Sequence, residues 1–512
     1  MAYDVAVIGA GLAGLTAAAT LAKGGARVVV CEQGAQVGGL WNSFRREGYL
    51  FDGGIKAVEN AGMILPTLSQ LGVLDRVHFA KSPIAMITET TVQPIRSAAD
   101  LDAYFAHLTS LFPAQQRGLQ EVQGDARRIF DLLAALLNFP GLFPEAQGGA
   151  RPSSWLRENL GTLSRTPKVL SLMNTPLRQY VERRISDPHL ANLLCDLFPD
   201  GTTAFFGLAY FGVFLDYHYP EGGIQAVPQA LAEVIQGWGG EILLNAPVSR
   251  IQLASGRANG VALADGRELD ARYVLSASDA RQTFTRLLPP EALPGGFLAG
   301  LGRAETSHTA FNVFLGLDLP VERLNLQGCG HVFYAPDLQG ITEEDRLTRE
   351  DYFAHVPQEI SVPCLHDPSL APEGKTGLIL CAMTSWHYAD NWGLRDGQPT
   401  ERYARLQEAF ADQMIGSLGR FIPDLERHIE FRLTGTPYTL QSRTLNSEGA
   451  IMGWSYNRRK TWYRGSMLQI AKAVTSPIPH LLLAGHWAFS PGGSPTAVLT
   501  AKLAADRILK DG

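Results

Sequence analysis

The sequence predicts an α/β fold in which a parallel sheet with flanking helices forms one domain and inserted segments form a second domain. The first observation is a strand–helix–strand pattern at the N-terminus with a glycine-rich first turn. The second is the return of similar strand and helix patterns near residues 220–280 and 480–512. The third is the length of 512 residues, which exceeds the size at which one hydrophobic core usually splits.

The N-terminal element has the order strand, turn, helix, strand. Residues 5–8 are a fully apolar strand, residues 12–23 are an alanine-rich helix, and residues 26–31 are a second apolar strand. The turn reads GAGLAG, and Glu32 closes the second strand. This arrangement predicts a dinucleotide-binding βαβ unit, because glycines, helix and acid all occupy the positions that such a site requires.

Each position of the turn has a separate predicted task. Gly9 permits the tight turn, Gly11 lets a pyrophosphate approach the backbone, and Gly14 lets the helix pack on the strand. Leu12 and Ala13 open the helix, so their N–H groups are available to an anion. We therefore expect all five residues to take part in cofactor binding.

The residues after the second strand indicate which dinucleotide binds. Glu32, followed by Gln33, would accept hydrogen bonds from ribose hydroxyls and disfavours the 2′-phosphate of NADP. A second glycine pair, Gly38 and Gly39, precedes Leu40. This extension resembles that of FAD-binding proteins of the glutathione-reductase type, and the resemblance favours FAD over NAD. The predicted first domain is therefore a Rossmann-like FAD-binding domain of that type.

The stretch GYLFDGGIKAVEN follows, with an aromatic, strand-like run that ends in Asp52, Gly53 and Gly54. We expect this stretch to bring the chain back past the cofactor. The two glycines would let the backbone lie close to the flavin ring, where a side chain would clash. All three residues are therefore predicted to belong to the cofactor site.

Two later segments complete the predicted FAD domain. In the first, Gly222 and Gly223 precede a helix of about a dozen residues, a strand follows at 241–244, and a hairpin turns at Asp265 and Gly266. In the second, a buried strand at 481–483 leads through a glycine-rich turn into the C-terminal helix. There Ser494 is a suitable N-cap and Pro495 suits the first helical position.

The predicted FAD domain is discontinuous. It comprises residues 1–95, 215–300 and 471–512, and an inserted mixed α+β substrate domain comprises residues 96–214 and 301–470. The first insert is helix-rich and apolar, whereas the second contains strands such as HTAFNVFLGL and TGLILCAMTSW. A helical layer over a sheet predicts a large apolar pocket.

Composition narrows the function classes. A net charge of −6 argues against nucleic-acid binding, which normally shows a basic excess. The five cysteines are scattered without a C-x-x-C pair, so we expect reduced thiols, a cytoplasmic location and no metal site. The longest apolar run, at 201–215, is shorter than the roughly 20 residues of a spanning helix.

Over nearly its whole length the chain resembles the phytoene desaturase, carotenoid isomerase and retinol saturase family. The resemblance is carried by the N-terminal fingerprint, GYLFDGG, HYPEGGIQAVPQAL, TGTPYTLQSRTLNSEGAIMGW and LLLAGHWAFSPGGSPTAVLTAKLAA. It implies FAD-dependent hydride exchange at flavin N5 on a long polyene or isoprenoid lipid, with desaturation, saturation or isomerisation left open. It also places Val248 against the adenine, and Gly485, His486 and Pro495 beside the flavin.

Two positions carry residues that differ from those usual in that family, and these two residues are the candidate catalytic residues. Lys56 follows the Asp-Gly turn, where desaturases commonly carry small or apolar residues, and His486 replaces an acid that follows Ala-Gly. Lys56 could stabilise reduced flavin or act as an acid, or it could instead pair with Glu47 or Glu59. His486 could contact the flavin or be a buried histidine bonded to backbone.

Other interpretations remain open at this stage. Trp487 and Tyr219 could wall the substrate channel or belong to the core, and Glu221 could cap a helix or face the flavin. The basic, aromatic segment NRRKTWYRG, residues 457–465, suggests peripheral membrane contact, with a solvated loop as the alternative. A flavin amine oxidase and a non-catalytic prenyl-lipid-binding protein of the GDP-dissociation-inhibitor type are the alternative functions.

Overall fold

The computed structural model describes residues 3–88, 90–137, 152–164, 166–336, 342, 344–462 and 469–511. Its strands are β1 (Tyr3–Ile8), β2 (Val28–Cys31), β3 (Ser43–Arg46), β4 (Tyr49–Asp52), β5 (Val58–Glu59), β6 (Phe79–Lys81), β7 (Ile84–Thr88), β8 (Thr91–Ile95), β9 (Tyr217–Pro220), β10 (Glu241–Leu243), β11 (Val248–Ala254), β12 (Arg257–Leu263), β13 (Glu268–Ser276), β14 (Thr309–Leu317), β15 (His331–Ala335), β16 (Gln358–Ser361), β17 (Thr376–Thr384), β18 (Ile429–Gly435) and β19 (Leu481–Leu483).

Its helices are α1 (Leu12–Lys23), α2 (Ile64–Gln70), α3 (Ala98–Leu111), α4 (Gln116–Leu137), α5 (Pro152–Leu163), α6 (Thr166–Leu172), α7 (Leu177–Glu182), α8 (Pro188–Cys195), α9 (Ala204–Val213), α10 (Ala226–Gly237), α11 (Ala280–Arg286), α12 (Phe297–Arg303), α13 (Asp345–Thr348), α14 (Tyr352–His355), α15 (Tyr388–Trp392), α16 (Glu401–Leu418), α17 (Pro437–Thr444), α18 (Ile470–Ala473) and α19 (Ser494–Asp511).

The first sheet is the predicted α/β core. Strands β10, β2, β1, β13 and β19 pair in parallel, and the antiparallel hairpin β11–β12 extends the sheet beyond β13. Helix α1 packs against α10 and α19. The α/β fold class is therefore confirmed, with α1 covering the predicted residues and β2 beginning at Val28 rather than at residue 26.

The second sheet has the order β18-β14-β17-β16-β15-β7-β8. Strand β7 pairs in parallel with β15, so Ile84 lies opposite His331. The hairpin β7–β8 thus belongs to the second sheet, and the predicted boundary at residue 95 is too late. Local sequence could not show this, because a hairpin has the same pattern whichever sheet it joins.

Helices α3 to α9 form a layer that packs largely on itself, with α4 against α9 and α7 against α8. The apolar run at 201–215 forms α9, whose first turn is capped by the Thr203 hydroxyl accepting from the Phe206 N–H at 3.3 Å. Among the described residues, no helix is long and apolar enough to cross a bilayer. All five cysteines are free and buried.

Candidate flavin site and adjoining cavity

One cavity of about 1080 Å³ is lined by residues of both sheets. The predicted nucleotide-binding loops form one part of its wall, and residues of the second sheet and of α9 form another. Helix α9 contributes Phe205, Phe206, Ala209, Tyr210 and Val213 to this wall. A nucleotide and a second, apolar molecule could therefore occupy one continuous space.

The turn before α1 has the geometry that its glycines predict. Gly9 has a φ of +95°, in the left-handed region that favours glycine. A Cβ on Gly14 would lie 1.9 Å from the Gly9 carbonyl oxygen, so Gly14 is required for helix–strand packing. A Cβ on Gly11 would meet no atom within 4 Å, and Gly11 lines the cavity together with Leu12 and Ala13. The space beside Gly11 fits a pyrophosphate.

Glu32 is held at the cavity edge by backbone donors. Its Oε2 accepts from the Ala10 N–H at 2.8 Å, and its Oε1 accepts from the Gly34 N–H at 2.7 Å. Gln33 and Val248 also line the cavity. A carboxylate oxygen has further lone pairs, so Glu32 remains able to accept from ribose hydroxyls.

The second glycine pair packs directly on the first turn. The Gly38 N–H donates to the Ala10 carbonyl at 2.8 Å, and a Cβ on Gly39 would lie 3.2 Å from the Gly11 Cα. Gly38, Gly39 and Leu40 all line the cavity. The second pair therefore fixes the loop that continues the nucleotide-binding wall.

Gly53 and Gly54 line the cavity, and their small size also lets two loops of the chain pack together. A Cβ on Gly54 would lie 2.0 Å from the Leu40 carbonyl oxygen, and one on Gly53 would lie 2.4 Å from Asn42 Oδ1. The close approach that the structure shows is to other atoms of the chain itself. Because Ile55 N–H bonds to the Leu40 carbonyl at 3.0 Å, the two loops form one wall.

Asp52 does not line the cavity, in contrast to its predicted place in the cofactor site. Its carboxylate is fully buried and accepts from Ser43 Oγ at 2.6 Å, the Tyr219 hydroxyl at 2.6 Å and the Ile224 N–H at 3.1 Å. Burial raises the pKa of Asp52 to about 6, although these donors oppose the shift. Asp52 therefore joins β4 to the segment before α10.

We expect Asp52→Ala to lower the free energy of unfolding by about 3 kcal/mol, because it leaves three buried donors without their acceptor. Chemical denaturation measures this loss. Asp4→Ala is the matched control, since Asp4 accepts one backbone N–H at an exposed site. Equal stability losses in the two variants would contradict the structural role of Asp52.

The C-terminal motif contributes the opposite wall. Gly485, His486 and Trp487 follow β19, and the start of α19 adds Ser494 and Pro495. The Ala497 N–H bonds to the Gly493 carbonyl, so Gly493 occupies the N-cap position predicted for Ser494. The Ser494 hydroxyl instead accepts from Trp41 Nε1 at 3.1 Å. The N-terminus of α19 still faces the cavity, where its positive dipole end favours negative charge.

His486 and Trp487 differ in their surroundings. His486 is half-buried against the cavity, and burial lowers its pKa to about 4, so it is neutral at pH 7. Trp487 is buried, donates to Asn446 Oδ1 at 2.9 Å and packs edge-on against Trp454. It therefore belongs to the core while one edge reaches the cavity.

A pH dependence follows from His486. Its folded-state pKa of about 4 lies below the ordinary 6.5, so the unfolded chain binds a proton that the folded chain does not. Stability should therefore fall as the pH drops from 6.5 toward 4, by up to about 3 kcal/mol for this group. Denaturation of His486→Gln with excess FAD should show a shallower pH slope, and an unchanged slope would contradict this.

Lys56 is buried at the cavity wall. Its Nζ donates to the Gly54 carbonyl at 2.6 Å and forms a side-chain hydrogen bond with Cys381. Burial opposes its charge, but Cys381 and the carboxylates of Glu359 and Asp52 outweigh burial and raise its pKa. Lys56 is therefore an ammonium enclosed by the protein, held by the Gly54 carbonyl and Cys381 rather than by Glu47 or Glu59.

The remaining candidate residues lie in the core, at the surface or at the cavity wall. Tyr219 is buried, stacks on His366 and bonds to Asp52, so it belongs to the core. Glu221 is exposed. Of the basic segment 457–465, residues 463–465 lie outside the described part of the chain. Arg458 lines the cavity and bonds to Asn174.

Sequence reasoning missed a polar group on the second sheet. Asn312, Glu359 and Cys381 line the cavity, and none follows a recognisable motif. Burial favours the neutral acid of Glu359, but His331, 3.0 Å away, and Lys56 outweigh it and lower its pKa to about 2. The only sequence signal was Asn312 and Cys381 within the largely apolar strands β14 and β17, whereas β16 is itself mostly polar.

Comparison with known proteins agrees with this geometry. Residues 12–509 match the family described as flavin containing amine oxidoreductase. The chain belongs to that family. It is an FAD-dependent oxidoreductase, and the open space at Gly11 together with the Glu32 carboxylate fits FAD. The non-catalytic alternative is thereby set aside for this flavoprotein.

Three relatives are similar in sequence to the flavoprotein over most of its length. A chloroplastic prolycopene isomerase of Arabidopsis thaliana is 27% identical over 85% of this chain and 72% of its own length. The all-trans-retinol 13,14-reductase of Homo sapiens is 27% identical over 99% and 85%, respectively. A phytoene desaturase of Fusarium fujikuroi is 25% identical over 99% and 89%.

Solved structures share the flavoprotein's fold. An oxidoreductase from Methanosarcina mazei has a TM-score of 0.62 at 16% identity and covers 97% of this chain and 98% of its own. Cyclohexylamine oxidase from Brevibacterium oxydans has a TM-score of 0.57 at 16% identity, with coverage of 100% and 99%. At these identities the likeness concerns the fold alone.

Proposed function

We propose that the protein acts on carbon–carbon double bonds of a long hydrophobic polyene or isoprenoid lipid. The observation that carries the proposal is the continuation of the nucleotide site into a wall of aromatic and aliphatic side chains from α9 and the second sheet. A long apolar substrate gains binding energy along such a wall in proportion to the area it buries. The three relatives described above, an isomerase, a reductase and a desaturase, support the same substrate class.

In this proposal some residues bind the cofactor and others shape the cavity. Gly11, Glu32 and the N-termini of α1 and α19 would hold FAD, which supplies hydride transfer at its N5 atom. We assign to Lys56 the stabilisation of negative charge in the site, because its ammonium is enclosed at the cavity wall. We assign to His486 a hydrogen bond in its neutral form. The apolar wall excludes water from the reacting bond.

The test is an anaerobic incubation of the purified holoenzyme with a polyene such as prolycopene, phytoene or all-trans-retinol. The expected result is a change in flavin absorbance, or an isomerised polyene without such a change, identified by chromatography. A holoenzyme that neither binds nor converts any of the three would overturn the proposal.

An amine oxidase is the second candidate, since the Glu359 carboxylate could attract an ammonium group. The buried Lys56 argues against it, because a second cation beside this ammonium would be repelled. Hydrogen peroxide release with putrescine or cyclohexylamine, and no reaction with polyenes, would favour an amine oxidase over an enzyme that acts on polyene lipids.

We also propose that lipid enters from a membrane surface at the helical end of the cavity. Leu156 and Leu160, one turn apart on α5, are 49% and 58% exposed. Leu170 of α6 is exposed and also lines the cavity, close to the Asn174 that Arg458 contacts. Exposed leucines beside basic side chains suit an interface with anionic lipid.

The double substitution Leu156→Gln and Leu160→Gln should weaken flotation with anionic vesicles about tenfold, because it removes apolar area from the contact. Leu244→Gln is the control, since Leu244 is also exposed, at 41%, but follows β10 in the first sheet. Equal flotation of the double variant and the wild type would remove this proposal.

A further inference from the structure

A polar row crosses the apolar wall of the cavity. Asn312 of β14 lies opposite Cys381 of β17, which lies opposite Glu359 of β16. Directly opposed residues project from the same face of a sheet, and the row spans about 10 Å because neighbouring strands lie about 5 Å apart. On that face Phe333 lies opposite Glu359 and Met383 lies two residues beyond Cys381, while His331 contacts Glu359 at 3.0 Å.

Asn312 is the member of the row whose amide oxygen has no partner within the described part of the protein. Its side chain is only 2% exposed, and its Oδ1 has no hydrogen-bond partner. A buried acceptor without a donor is costly, so native structures rarely leave one unpaired. Because Asn312 lines the cavity, a donor on a bound molecule would satisfy this atom.

Lys56 lies over the middle of the row. It is hydrogen-bonded to Cys381, and its Nζ also donates to the Gly54 carbonyl. An ammonium group has three donors, so one N–H remains for a ligand after these two bonds. The row therefore presents an acceptor, Asn312 Oδ1, and a donor, Lys56 Nζ, to the same part of the cavity.

This pairing discriminates between kinds of lipid. A hydrocarbon would displace water and leave both groups unsatisfied, and a carbonyl could only accept from Lys56. A hydroxyl can donate to Asn312 and accept from Lys56 at once. We propose that the substrate is a polyene or isoprenoid alcohol whose hydroxyl binds between Asn312 and Lys56. This inference rests on the proposed function, that the cavity takes a long unsaturated lipid.

The test compares four ligands on the holoenzyme: all-trans-retinol, its methyl ether, retinaldehyde, and the hydrocarbon with hydrogen in place of the hydroxyl. Quenching of tryptophan fluorescence measures the dissociation constants. The alcohol should bind at least tenfold more tightly than the other three, because only it satisfies both partners. A hydrocarbon or ether that binds as tightly as the alcohol would overturn the inference.

Asn312→Leu removes the acceptor at similar volume and should bring the affinity ratio of alcohol to ether close to one. Met383→Leu is the matched control on the same face and should keep that ratio at tenfold or more. If Asn312→Leu does not fold, the ligand series on the wild type still decides. Binding of all four ligands without preference would refute only the hydroxyl site, whereas binding of none would overturn the proposed function as well.

Discussion

Gly11→Ala should abolish FAD binding while leaving the apoprotein folded. The added Cβ would meet no protein atom within 4 Å, and Gly11 has an ordinary φ of −72°, so the chain itself accommodates alanine. The methyl group would nevertheless occupy the cavity beside the N-terminus of α1, where we place the pyrophosphate. We expect the affinity for FAD to fall at least 100-fold, because backbone contacts to the phosphates are lost.

Equilibrium dialysis against FAD and thermal unfolding of the apoprotein measure the two effects separately. Gly416→Ala is the control, since Gly416 lies exposed in α16 and also has no atom near its added Cβ. That variant should bind FAD normally and gain slightly in helix stability. If Gly11→Ala retains wild-type affinity, the pyrophosphate does not lie against this turn.

Lys56→Met should keep FAD bound but lower kcat about 100-fold, a typical effect of removing a charged group that acts in the chemical step. Methionine fills similar space without the charge. The nucleotide contacts come from other loops, so the flavin content should not change. The flavin reduction potential should fall as well, since an enclosed positive charge stabilises negative charge nearby.

Lys23→Met provides a matched control, because Lys23 Nζ also donates to a backbone carbonyl at 2.6 Å but lies exposed on α1. Lys56→Arg should restore part of the activity by restoring the charge. Wild-type turnover and potential in Lys56→Met would reduce Lys56 to a structural residue held by the Gly54 carbonyl and Cys381.

Much of the cofactor end could be predicted from the sequence, because its determinants are local. The turn from Gly9 to Gly14, the acid at Glu32 and the second glycine pair each carry a backbone requirement that is visible within a few residues. Asp52 shows the limit of such reasoning. It lies beside cavity-lining glycines in sequence, yet its carboxylate points to Tyr219 and Ile224, which are distant in the chain.

The substrate end could not be predicted in the same way. Asn312, Glu359 and Cys381 come together only because β14, β17 and β16 are neighbours in one sheet at one register. A shift of one residue would turn any of them to the opposite face. Likewise, β7 and β8 join the second sheet through pairing with β15, which no local pattern encodes.

The sequence by itself thus determined the α/β class, the flavin fingerprint and the unusual placement of Lys56 after the Asp-Gly turn. These depend on backbone conformation and side-chain chemistry within short segments. Only the tertiary structure decided what surrounds Lys56, because Cys381 and Glu359 reach it from strands more than 300 residues away in the chain. Strand order and register, which are long-range properties, set the chemistry of the cavity wall.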